Sequence, residues 1–108
     1  MAADISKSRE MERLRKKLTV DLLWIYLLGI LRKEPMHAYA LRSEIEKRFG
    51  FLPGNVSAYV VLYKLQSRGF VSSLQKGNRT VYSITQKGKE LLKEAEKEFS
   101  AKQKMLFK

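Results

Sequence analysis

Hydrophobic positions along this chain change their spacing several times, and each change marks an element. Met11, Leu14 and Leu18 recur three to four residues apart in a polar opening segment, which predicts an N-terminal helix over residues 5–17. Thr19 is placed to cap the next helix, with Asp21 in its first turn, where a negative charge suits the dipole. The run VDLLWIYLLGIL is apolar almost all round, so it must be covered on more than one side. It reads as the central helix of the core, with a share in a dimer interface. Arg32 and Lys33 fall in its last turn, and Pro35 ends it. A helix from about His37 to Phe49 follows, with Tyr39, Leu41, Ile45 and Phe49 as its apolar set and Gly50 as its stop.

Pro53 and Gly54 make a short connection to a third core helix. It starts at Asn55 or Ser57, runs to about Arg68 and stops at Gly69. On a wheel at 100° per residue, Ala58, Val61, Leu62 and Leu65 point inward. Val56, Val60, Tyr63 and Ser67 fall opposite, flanked by Ser57 and Lys64. Two valines and a tyrosine on the outward face are odd for a solvated helix. They make sense if a groove bearing thymine methyls covers that face. The segments FVSSLQ and TVYSI are rich in β-branched and aromatic residues and, with Lys76-Gly77-Asn78-Arg79 between them, read as a two-stranded hairpin. Thr85 begins a last helix, with Gly88 a weak spot early in it. Leu91, Leu92, Ala95, Phe99, Met105 and Leu106 give it an apolar stripe of about 20 residues, roughly 30 Å at helical rise. Such a helix is too long to lie only on its own small domain. The fold class is therefore mainly α with a small β hairpin: a winged helix-turn-helix with an N-terminal helix and a long C-terminal dimerisation helix. We expect residues 1–84 to form the DNA-binding domain and residues 85–108 the dimerisation helix.

Charge sharpens this picture. The 108 residues carry a net charge of +11, which favours a polyanionic partner. Residues 55–88 hold five basic side chains and no acidic one, whereas the remainder mixes 17 basic with 11 acidic. A helix followed by a basic hairpin is the DNA-facing half of a winged helix, and neutralised phosphates release counterions there. Without cysteine there is no disulfide and no thiolate metal site. The lone His37 reads as a helix-start residue rather than a ligand or base. No catalytic set, metal site or cofactor motif can be assembled, so an enzyme is not expected. The apolar run Leu22–Leu31 spans about half of what a bilayer crossing needs, and the N-terminus has no signal peptide. A cytoplasmic protein is expected.

The order helix, helix, turn, helix, hairpin, long helix resembles the PadR family of winged-helix transcriptional regulators. The carriers are EPMHAYAL, SAYVVLYKLQSRGFV and VYSITQKGKELL, over about Leu22 to Leu92. His37 and Tyr39 match, as do Tyr59, Leu62, Leu65 and Gly69, then Tyr82, Ile84, Thr85 and Gly88. Ala38 and Val60 stand where the family usually has Gly and Pro. The resemblance implies a homodimeric repressor of a prokaryote, of the short subtype with one C-terminal helix, that binds an inverted repeat. Dimerisation would use that helix with help from the N-terminal one. The expected DNA-binding residues are Asn55, Ser57, Tyr59, Val60, Tyr63, Lys64 and Arg68 on the third core helix, with Lys76, Asn78 and Arg79 on the wing. The expected dimer residues are Leu22, Ile25, Leu91, Leu92, Ala95, Phe99 and Leu106. Some members of the family bind flat aromatic ligands at the dimer interface, which would put a small aromatic effector near Trp24. Packing in the core or at the interface is the leading reading of Trp24, ahead of an effector contact. The rival readings are a non-specific architectural DNA- or RNA-binding protein and a winged helix that binds other proteins.

Overall fold

The computed structural model describes residues 4–108 and is mostly helical. Residues 1–3 of the expected DNA-binding domain lie outside the described residues. The N-terminal segment is a short 3-10 turn, Ile5–Lys7, followed by α1, Arg9–Leu18, rather than one helix over 5–17. Ser8 separates the two, because its hydroxyl accepts the Met11 N–H as a cap.

Thr19 does not cap the second helix. Its hydroxyl donates to the carbonyl of Arg15 at 2.7 Å, so it closes α1 instead. A 3-10 turn over Val20–Leu22 then leads into α2, Leu23–Leu31. Asp21 sits in that turn, paired with Lys17 at 2.9 Å. Arg32 is the C-terminal cap of α2 and Lys33 follows it, so neither lies in the last turn. The apolar run behaves as its composition demands: Leu23, Leu27, Leu28, Ile30 and Leu31 are all buried.

Helix α3, Ala38–Phe49, has His37 as its cap, with Nδ1 accepting the Ala40 N–H at 3.2 Å. Ala38, Leu41 and Ile45 are buried, but Tyr39 is 73% exposed. Tyr39 therefore does not belong to the core-facing set, because Ala38, one position earlier, already occupies that face. Phe49 is half exposed and sets its ring edge-on to Tyr26, with centroids 4.9 Å apart. The connection to α4, Asn55–Ser67, is held by Arg42 Nε, which donates to the carbonyl of Pro53 at 2.9 Å. On α4, Ala58, Leu62 and Leu65 are buried and Val61 is half-buried, as the wheel predicts.

Gly69 ends α4 with a positive φ of 83°. The Phe70 N–H bonds to Leu65 O and the Gly69 N–H to Gln66 O, the paired bonds of a Schellman turn. This turn aims the chain into β2, Val71–Lys76, which pairs antiparallel with β3, Arg79–Ile84. The hairpin is part of a three-stranded sheet of order β1-β3-β2. The added strand, β1, is only Met36–His37, paired with Tyr82 and Val81. Two residues are too few to show an alternation, so periodicity cannot reveal this strand.

Helix α5, Gln86–Leu106, is capped by Thr85, whose hydroxyl accepts the Gly88 N–H at 3.0 Å. The same hydroxyl donates to Gly69 O at 2.6 Å and ties the helix to the turn before the wing. Gly88 is not a weak spot. It is buried, and a Cβ there would run into the carbonyl oxygen of Phe70. The core joins α2, α3, α4 and the sheet, with Leu91 and Leu92 packed on its edge. Beyond those two residues α5 leaves the core, and the molecule extends to 59 Å along its long axis.

Candidate nucleic-acid interface

Helix α4 and the wing present the acid-free stretch together. Asn55 is the first residue of α4 and is exposed, as are Ser57, Lys64 and Arg68. Val56 is 75% exposed and Tyr63 73%, which are high values for apolar side chains on a helix whose other face is sealed. Val60 and Tyr59 are half exposed. The Ser67 hydroxyl is used internally, donating to Tyr63 O. Burying this face against a partner would remove apolar surface from water at about 25 cal/mol per Å².

The wing turn is the two-residue link Gly77-Asn78, flanked by the pair Lys76 and Arg79. Only Gly77 of the two has a positive φ, 59°, the pattern of a II′ hairpin turn. Gln75 and Thr80 stiffen the wing, since the Thr80 hydroxyl donates to Gln75 Oε1 at 2.9 Å and Gln75 Nε2 to Gly77 O. Lys76 and Asn78 are exposed at its tip.

Arg79 behaves differently. Its Nη1 lies 3.1 Å from Nε2 of His37, so the guanidinium reaches back toward the start of α3. It lines a cleft of about 260 Å³ with Tyr59, Asn78, Thr80, Tyr82, His37, Ala38 and Tyr39. The fold thus brings Tyr59, Asn78 and Arg79 of the expected set together. His37, Tyr39, Thr80 and Tyr82 were not foreseen there. A usable signal was the dipeptide Ala38-Tyr39: once the small residue takes the core position, the tyrosine lies 100° round the helix.

The electrostatics follow the sequence. The four ion pairs among the described residues, Lys17–Asp21, Arg48–Glu44, Lys97–Glu94 and Lys102–Glu98, all lie outside 55–88. Lys64 and Lys76 are therefore free to meet phosphate. Lys87, the fifth cation of the stretch, is already engaged. Its Nζ donates to Arg68 O at 2.8 Å and sits 4.9 Å from the Phe70 ring centroid. It is a strut between α5 and the end of α4.

A second surface lies on the far side of α2. Ile25, Tyr26, Gly29, Phe49, Leu92, Ala95 and Phe99 line a groove of about 800 Å³ between α2 and α5. Burial raises the Tyr26 pKa, and its hydroxyl donates to the carbonyl of Leu18. Leu91 and Leu92 are half-buried against the core, whereas Phe99 and Leu106 are exposed. Leu22 is half-buried in the 3-10 turn. No residue of α1 is buried, and Leu14 and Leu18 are half exposed. Trp24 packs on the core and does not line the groove. No helix among the described residues is long and apolar enough to cross a membrane.

Comparison with known proteins agrees with this geometry. The model of the transcriptional regulator PadR-like family matches residues 27–94, more than half of the chain. A transcriptional regulator from Thermoplasma acidophilum is 31% identical, with a TM-score of 0.72 over 85% of this chain and 91% of that one. A PadR family transcription regulator from Clostridium difficile is 24% identical, with a TM-score of 0.69 over 77% of this chain and 92% of its own. A transcriptional regulator from Clostridium thermocellum shares the fold at 18% identity, with a TM-score of 0.74 over 92% of this chain and 93% of its own. No curated protein matches.

Proposed function

The chain belongs to the PadR-like family of transcriptional regulators, and from that membership we propose that it is a homodimeric repressor of an inverted-repeat operator. The carrying observation is the exposed face of Val56, Val60 and Tyr63 on α4, set between unpaired cations with no carboxylate from residue 55 to 88. In this reading α4 enters the major groove. Asn55 and Ser57 bond base edges or phosphate, and Val60 and Tyr63 make apolar contacts. Tyr59, Lys64 and Arg68 pair with phosphates. Lys76, Asn78 and Arg79 hold the backbone or the minor groove beside it. Most of these contacts fix register, and few of them read sequence.

Dimerisation is the second part of the proposal. The exposed apolar residues of α5 and the uncovered face of α1 support a second copy as the covering partner. Residues 1–84 then serve as the DNA-binding unit and 85–108 as the dimerisation helix, with Leu22, Ile25, Leu91, Leu92, Ala95, Phe99 and Leu106 at or behind the interface. Two α4 helices would be spaced about one DNA turn apart, roughly 34 Å. A small aromatic effector near Trp24 would act at that interface, and such a regulator works where the prokaryotic chromosome lies, in the cytoplasm. The test is binding of a labelled duplex at several salt concentrations, with bulk DNA as competitor. A preference of about 10³ or more for its own promoter is expected, and absence of duplex binding even at low salt sinks the reading. Transcription from that promoter in a purified system should fall when the protein is added.

A further inference from the structure

The contact between His37 and Arg79 has a peculiar proton inventory. Nδ1 of His37 accepts the Ala40 N–H. A neutral imidazole has a single acceptor nitrogen, so Nε2 carries the proton. Nε2 lies 3.1 Å from Nη1 of Arg79, which has only protons to offer. Two donors thus face each other, with no acceptor of the chain bridging them. An oxygen with spare lone pairs, taking a hydrogen bond from each, resolves the arrangement.

Tyr82 supplies an independent observation in the same cleft. It is 8% exposed, and its hydroxyl makes no hydrogen bond among the described residues. No sealed side-chain nitrogen or oxygen among those residues lacks a partner, so this hydroxyl must open into the cleft that Tyr82 lines. The Tyr82 ring is thus fixed by burial while its hydroxyl, unused by the chain, is left to donate to whatever occupies the cleft. Burial and then the neighbouring Tyr59 raise its pKa, which keeps the proton available for donation. Ala38 and Tyr39 bring the positive end of the 12-residue α3 to the same place, and no carboxylate lines the cleft.

We propose that this cleft is an oxyanion site that holds one phosphate group through His37 Nε2–H, the Arg79 guanidinium and the Tyr82 hydroxyl. His37 Nε2 and Arg79 Nη1 are close enough to share one acceptor, Tyr82 lines the same cleft, and the single formal cation matches a singly charged phosphodiester. We assign the phosphate to the backbone of a bound duplex, because the cleft lies between α4 and the wing. That assignment of source rests on the DNA-binding reading, but the site itself does not.

Two measurements on the full chain separate these. Titration of the 15N-labelled protein with inorganic phosphate should shift the Ala40 amide, the Arg79 side-chain and the His37 ring signals saturably. Tyr82→Phe, which keeps the ring packing, should weaken that binding about tenfold, as for a hydrogen bond to a charged group. On duplex, Tyr82→Phe should bind about tenfold more weakly at an unchanged salt slope, because the lost donor carries no charge. Arg79→Ala should lower the slope by about 0.9. Phosphate shifts without any duplex effect of Tyr82→Phe would assign the site to free phosphate and overturn the backbone assignment. Unmoved signals, with duplex affinity identical in Tyr82→Phe, would overturn the site while leaving DNA binding intact. Phosphate shifts in a protein that binds no duplex would keep the site and remove the DNA reading.

Discussion

Gly88, in the first turn of α5, is packed against the carbonyl oxygen of Phe70 so closely that no side chain fits between helix and sheet. Helix propensity alone says that alanine is better there by about 1 kcal/mol. The packing reverses the sign. Gly88→Ala should destabilise the protein by about 1–3 kcal/mol, as overpacking does. Denaturant unfolding measures it, and a variant as stable as the parent would contradict the packing.

Thr85 joins the same junction through its hydroxyl, which both caps α5 and bonds Gly69 O. Thr85→Ala should lose about 1–2 kcal/mol, whereas Thr85→Ser should recover most of it. Thermal unfolding of the two variants side by side decides between a lost hydroxyl and a lost methyl.

The two faces of α4 should separate stability from binding. Leu62 is fully buried, so Leu62→Ala should cost about 2–5 kcal/mol. Tyr63, next along the chain and 73% exposed, should tolerate alanine within about 0.5 kcal/mol. Duplex affinity should fall in Tyr63→Ala all the same. Unfolding curves and duplex titrations of both variants provide the comparison.

Lys64 and Lys76 are exposed on different elements, and neither has an ion-pair partner among the described residues. Replacing either with Ala should lower the slope of log affinity against log salt by about 0.9, and replacing both by about twice that. Slopes that stay at the parent value would show that these cations do not meet phosphate.

The dimer face is best tested away from the core. Leu92 packs on the core, so a charge there would disturb folding as well as association. Phe99 and Leu106 are exposed on the projecting part of α5. Phe99→Asp with Leu106→Asp should leave the helical circular dichroism unchanged and give monomers in sedimentation. A double variant that stays dimeric would place the interface elsewhere.

The sequence by itself determined the helices, the hairpin and the orientation of α4. Ala58, Leu62 and Leu65 recur with the helical period and form its inward face, while Val56, Val60 and Tyr63 leave a second apolar face exposed opposite them. It also determined the one-sided charge, because counting carboxylates requires no coordinates. Tertiary structure decided what depends on residues far apart in the chain meeting. Met36 and His37 become a strand only because Val81 and Tyr82 offer them a free edge. Tyr39 leaves the core because Ala38 fills it, and Gly88 gains its role from Phe70, 18 positions earlier. His37 and Arg79 stand 42 residues apart, and no local period encodes their contact. Periodicity reports which face of an element avoids water. Which groups then stand opposite one another is set by how the elements pack.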